Sequence, residues 1–206
     1  MTVKKWTYAK TVPKKIYVAC SGGVDSVAAA AILSEWRDVT LAHFSHQDHA
    51  AEQELETVSA LAQKLNLPLV AGFQSDITVG NAEANWRQAR YSWFHSLDAP
   101  VATGHTLDDA VEWYMMTCLR GRGEFMPVGN KNVFRPFLLT EKSALLEYAA
   151  SKNIEWWNDP TNLDPEFALR NCVRANLIPQ ALLCEPGLTN MVRKRIVEKS
   201  LKEERN

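Results

Sequence analysis

Ile16-Tyr17-Val18-Ala19-Cys20-Ser21-Gly22-Gly23-Val24-Asp25-Ser26 is the stretch that decides how this chain folds. Its first five residues are β-branched, aromatic or small and apolar, as in a buried strand. Ser-Gly-Gly then interrupts the strand, and Val24-Asp25-Ser26 opens a run with helical spacing over about 25–36. Glycines let the backbone curl so that successive N–H groups point at one anion. The helix N-terminus adds its partial positive charge. The Ser21 and Ser26 hydroxyls can donate to phosphate oxygens, and Asp25 suits a bridging Mg²⁺ better than direct contact with phosphate. The expected phosphate-binding residues are therefore Ser21, Gly22, Gly23, Val24, Asp25 and Ser26, with Asp25 also a metal ligand. No Gly-Lys-Ser/Thr is present, so the loop is not of the Walker type. The plainer reading is a strand-to-helix turn that Asp25 or Ser26 merely caps.

Outward from this loop the pattern repeats. Apolar β-type runs at Val39–Phe44, Leu69–Phe73 and Val101–Thr103 alternate with helical spacing over 52–66, 82–97 and 107–119. Such alternation predicts an α/β fold, a parallel sheet covered on both faces, with ligands beyond the carboxyl ends of the strands. A weaker run, Val133–Leu138, contains Pro136 and reads as an edge strand or an extended connection. From Thr140 the pattern becomes helical: one helix to about Lys152, a Pro- and Asn-rich turn over Asn158–Pro165, then a helix to about Leu177, stopped by Pro179. The last twenty residues also read as a charged helix. The expected division is residues 1–139 as a nucleotide-binding α/β domain and 140–206 as a helical extension of the same core.

The 206 residues are 46% hydrophobic with a formal net charge of −1, enough to bury a full core. No apolar run of about 18 residues predicts a membrane span, and no signal peptide is recognisable, so a cytoplasmic protein is expected. Cys20, Cys118, Cys172 and Cys184 contain no C-x-x-C pair, which points away from a zinc ribbon or disulfide framework. Lysines near the start and Arg193, Lys194, Arg195, Lys199 and Lys202 near the end suit a phosphate backbone or simple solvation equally.

A second cluster follows the fourth apolar run. His105, Asp108, Asp109 and Glu112 fall at positions i, i+3, i+4 and i+7, one face of a helix at a strand's carboxyl end. Such a group can hold a metal, orient an amine or remove its proton. Alternatively Thr106 caps the helix, and the aspartates complement its dipole. The aromatic residues Trp86, Trp93, Phe94, Trp156 and Trp157 lie in apolar patterns and are expected to pack in the core rather than stack on bases.

Ser21–Ser26 resembles the PP-loop of the ATP pyrophosphatases, whose members split ATP between the α- and β-phosphates. Further strings resemble the tRNA(Ile)-lysidine synthetases: Gly104-His105-Thr106-Leu107-Asp108-Asp109-Ala110-Val111-Glu112, Arg120-Gly121-Arg122-Gly123 and Asn81-Ala82-Glu83-Ala84-Asn85-Trp86-Arg87-Gln88-Ala89-Arg90-Tyr91. So do Arg135-Pro136-Phe137-Leu138, Asp159-Pro160-Thr161-Asn162 and Arg170-Asn171-Cys172-Val173-Arg174. The resemblance covers about residues 14–183, the catalytic core. It implies a ligase that uses ATP to adenylate C2 of the wobble cytidine of an isoleucine tRNA with a CAU anticodon. The ε-amine of free L-lysine then expels AMP. By position, Asp25 binds Mg²⁺ and ATP, and Asp109 is a second metal ligand. Arg90, Asp109 and Glu112 line the reacting centre, and His105 lies at the nucleotide. Arg120, Arg170 and Arg174 are the candidate tRNA contacts, although Arg170 and Arg174 equally fit bracing pairs for Asp159 or Asp164. Glu124–Gly129 and Ser45–Ala50 depart from the family pattern. The family's tRNA-gripping C-terminal domains have no counterpart in these residues, so a homodimer or a partner acting in trans is one expectation. The alternatives are a PP-loop protein acting on another tRNA or nucleophile, or a non-catalytic nucleotide-dependent binding module.

Overall fold

A computed structural model describes residues 12–46, 50–74, 82–163 and 168–203. Asn81 and Asp164, which the sequence motifs include, lie outside them. Six strands form one sheet in the order β3-β2-β1-β4-β6-β5. These are β1 (Lys15–Ala19), β2 (Asp38–Ser45), β3 (Leu69–Phe73), β4 (Val101–Ala102), β5 (Gly129–Asn130) and β6 (Val133–Phe134). Every pairing is parallel except the β5–β6 hairpin. The α/β class read from the alternating pattern is thus the observed one. The helices are α1 (Val24–Ser34), α2 (Ala51–Leu65), α3 (Ala82–Ser96), α4 (Leu107–Leu119), α5 (Lys142–Ser151), α6 (Leu169–Cys172), α7 (Ile178–Cys184) and α8 (Leu188–Glu203).

The α1 helix is apolar around most of its circumference and buried accordingly, from Val27 through Leu33. Its four consecutive alanines, Ala28–Ala31, leave little side-chain bulk, so it lies in one core cluster with β1 and β2 on one side and Leu145, Tyr148 and Ala149 of α5 on another. On β3, Gly72 admits the Trp93 ring of α3, which a Cβ would approach to 2.4 Å. Phe94 is buried, and Trp156 packs against the main core, as expected of aromatics in apolar patterns.

Two local expectations are corrected. The run Val133–Leu138 is strand only at Val133–Phe134, and it lies inside the sheet because β5 covers its outer edge. Pro136 has no N–H for a ladder, so the chain turns there and buries Phe137 and Leu138. Pro179 does not stop a helix at Leu177. Residues Val173–Leu177 widen into a π turn, and Pro179 enters the first turn of α7. The Ile178 N–H reaches back to the Val173 carbonyl, an i to i−5 bond. Widening the turn there accommodates a ring that has no N–H and would crowd the carbonyl four residues back.

Candidate active site

The glycine loop lies at the carboxyl end of β1, where the sheet topology places ligands. Gly22 has φ of +82°, a conformation that favours glycine, and its carbonyl accepts from Trp157 N–H at 3.0 Å. Gly23 is the N-cap of α1. Ser26 is turned inward: its hydroxyl donates to Gly23 O at 2.8 Å and accepts from Ser21 N–H at 3.2 Å. Ser26 therefore stitches the loop as well as lining it. Val24 is buried, so only its backbone is available to a ligand. The loop that follows β4 presses on the start of α1 so closely that a Cβ on Gly104 would lie 2.7 Å from Asp25 O.

Asp25 has a partner the sequence did not reveal. Lys142 Nζ, from the first residue of α5, sits 2.7 Å from Asp25 Oδ2. Asp25 Oδ1 is buried with no hydrogen-bond partner. Burial raises the Asp25 pKa above its ordinary value, Lys142 pulls it down, and Asp109 and Asp108 push it up again. Asp108 itself accepts from Lys142 N–H at 2.8 Å, so α4 caps α5.

The expected single face of His105, Asp108, Asp109 and Glu112 is divided. His105 precedes the helix, because Thr106 is the N-cap of α4. Thr106 and Asp109 form a capping box: Asp109 Oδ2 accepts from Thr106 N–H at 2.7 Å and from its hydroxyl at 2.9 Å. His105 Nδ1 meets Thr103 Oγ1 at 2.7 Å, and that hydroxyl donates to Phe134 O at 3.2 Å. With the hydroxyl proton on Phe134, the imidazole carries its own on Nδ1 and leaves Nε2 as the acceptor. Burial pushes the His105 pKa down to about 3, against the pull of Asp109 and with help from Arg135, Arg170 and Arg90, so the ring is neutral at ordinary pH. Asp109, although buried, is held below the usual carboxylate range by the Thr106 hydrogen bonds and by Arg170.

Glu112 is clamped. Its side chain is 3% exposed, with Arg170 Nε 2.5 Å from Oε1 and Arg174 Nη2 2.7 Å from Oε2. The Arg170 contact is ionic rather than a directed hydrogen bond, since its N–H finds no acceptor in line. Asp159 is not their partner; it accepts from Thr161 instead.

A cavity of about 260 Å³ collects much of this chemistry. Ser21, Gly23, Asp25 and Ser26 line one side of it, and Arg90, His105, Asp109 and Arg170 another. Arg90 is linked to no other described residue by a hydrogen bond or ion pair. Burial and the neighbouring Arg87 and Arg170 depress its pKa, while Tyr91 opposes them. Of the remaining candidates, Glu112 lies behind Arg170, outside the lining, and Arg174 is on the outer side. Arg120 is exposed at the far end of α4, eight residues and about 12 Å along the axis from Glu112. A larger groove of about 400 Å³, between α2 and residues 154–157, includes none of the candidates. Lys142 was missed because nothing in sequence spacing links residue 142 to residue 25. The absence of a lysine inside the glycine loop was the available hint.

Strand order, glycine loop and carboxyl-end cavity together define an α/β protein whose glycine loop opens on a cavity at the start of α1. The chain belongs to the PP-loop domain family, whose pattern matches residues 2–181. It is 34% identical over 182 residues to a tRNA(Ile)-lysidine synthase of Solibacter usitatus, covering 81% of this chain and 40% of the relative. To a protein of the same name from Corynebacterium diphtheriae it is 33% identical over 168 residues, 81% of this chain and 57% of the relative. The chain thus spans about half the length of these relatives. The fold also resembles an NMN synthetase from Francisella tularensis, with a TM-score of 0.58 at 14% identity over 97% of this chain and 96% of that one. No helix among the described residues is long and apolar enough to cross a membrane.

Proposed function

We propose that this chain is the ATP-using core of a tRNA(Ile)-lysidine synthase. The reading rests on one observation: the glycine loop and the group Arg90, His105, Asp109 and Arg170 share a single cavity. In the proposed reaction, O2 of the wobble cytidine attacks the α-phosphorus of ATP, and pyrophosphate leaves with the broken α–β bond. The ε-amine of lysine, having lost a proton, then forms a C–N bond at C2, and AMP leaves with the former O2.

The Gly23 N–H, at the start of α1, would bind the phosphates. Arg90 and Arg170 supply positive charge to the same cavity, where charge developing on the phosphates is best met by fixed groups. Lys142 provides the cation that a Walker loop would carry in its own sequence.

For Mg²⁺ the residues fit. Asp25 offers an unpartnered buried oxygen, and Mg²⁺ is usually held by one or two carboxylates plus phosphates rather than by a protein cage. Asp25, with Asp109 nearby, would hold the ion, which when bound neutralises phosphate charge. Neutral His105 offers an acceptor at Nε2.

The test is product analysis with ATP, L-lysine and a CAU tRNA(Ile) transcript. Pyrophosphate and AMP should appear together, dependent on both RNA and lysine, and Asp25→Ala should abolish them. Release of ADP, or AMP formation indifferent to lysine, would overturn the reading.

A further inference from the structure

The clamp on Glu112 has an arrangement that bracing alone does not require. Both arginines come from one short irregular segment, α6 and the π turn, and they approach opposite oxygens of one carboxylate. Arg170 is the inner member, lining the cavity, while Arg174 is the outer, 45% exposed. A π turn interrupts regular hydrogen bonding and recurs at functional positions. With both guanidinium groups in place the local charge is net +1, which repels an ammonium. If an external anion takes Arg174, the remaining Glu112–Arg170 pair is neutral, and Oε2 of the carboxylate is left free.

We propose that the Arg170–Glu112–Arg174 cluster is a gate, in which a phosphate of the RNA substrate draws Arg174 outward and so frees Oε2 of Glu112, with Arg170 still on Oε1, to bind the amine nucleophile. The inference rests on the lysidine-synthase reading above and deepens it. It assigns Glu112 a ligand only after RNA has bound, and it fixes an order in which the amine enters last. Arg174 is then a positioning residue: it acts through Glu112 and touches neither ATP nor lysine. The exchange is favourable because an arginine–phosphate pair at the surface replaces the arginine–carboxylate pair, and the carboxylate regains a cation when the ammonium arrives. Two ligands linked in this way show coupling of roughly 5- to 150-fold in affinity.

The test is equilibrium dialysis of radiolabelled L-lysine against the whole chain, with and without the CAU tRNA(Ile) transcript. Wild type should retain lysine at least about tenfold more tightly with RNA than without it. Arg174→Gln should bind lysine without RNA about as well as wild type does with it, and Arg174→Lys, which keeps the charge, should restore RNA dependence. Glu112→Gln should lose lysine binding under both conditions. Equal lysine affinity with and without RNA in wild type, or an Arg174→Gln variant identical to wild type, overturns the gate while leaving the synthase reading intact. A wild-type chain that binds ATP and tRNA but never lysine overturns both.

Discussion

Gly104 and Asp25 show how little freedom the site allows at single residues. The atoms a Gly104 Cβ would meet are Asp25 O at 2.7 Å, Asp25 C at 2.8 Å and Ser26 N at 3.0 Å, all backbone. Nothing flexible can yield, so Gly104→Ala must shift the first turn of α1. Overpacking of this kind costs about 1–3 kcal/mol, which urea unfolding would measure, and ATP affinity should fall with it. Lys142 acts by charge instead. Its removal deprives Asp25 of the influence that offsets burial, so the Asp25 pKa must rise further in Lys142→Gln. If ionised Asp25 is needed for turnover, the acid limb of the kcat/KM profile moves to higher pH in that variant. The rate at neutral pH should drop about 10- to 100-fold, the worth of one charge-assisted hydrogen bond. An unshifted acid limb would remove Lys142 from the account.

Among the elements, the start of α4 carries two duties at once. Asp109 closes the capping box with Thr106 and also lines the cavity. Asp109→Ala, which has no acceptor for Thr106 N–H, should therefore cost about 1 kcal/mol of stability through the broken capping box. The folded pKa is depressed below its ordinary 3.8, so this contribution is full above about pH 4 and disappears as pH falls through the lower folded value. Unfolding of wild type and variant at pH 7 and in strong acid checks the sign. The capping reading of this helix holds at Asp109, and the chemical reading proposed for it falls on the same carboxylate. Strand-to-helix alternation was legible because burial on both faces of a sheet demands long apolar runs. The limits of α4 were legible because Thr106 is a strong N-cap. What spacing hid were contacts between remote residues, Lys142 with Asp25 and both arginines with Glu112. These depend on how α5 and the 169–177 segment fold back over the sheet. Helical periodicity also placed His105 on the α4 face, although the cap begins one residue after it. Pro179 misled because a π turn can absorb a proline that an α-helix cannot.

Across the whole molecule, the segment after residue 139 is bound to the sheet too closely to behave as an appendage. Leu145, Tyr148, Ala149 and Ile154 belong to the same buried cluster as Val18, Ala29 and Leu41. A second cluster joins Leu107 and Val111 of α4 to Leu188, Val192 and Ile196 of α8. Polar ties repeat the connection at the ligand end, through Trp157 N–H to Gly22 O and Lys142 to Asp25. A chain ending at residue 139 would expose α1 along the side that α5 covers, and it should show no cooperative unfolding. The intact chain should unfold in one step, with coincident midpoints for tryptophan fluorescence and far-ultraviolet circular dichroism. ATP with Mg²⁺ at a hundred times its Kd should then raise the stability of that single transition by about 2.7 kcal/mol. The rise should vanish in Asp25→Ala. Two separated transitions, with ATP displacing only one, would show that the sheet and the helical segment are independent units. The loop's carbonyl contact with Trp157 would then be incidental to nucleotide binding.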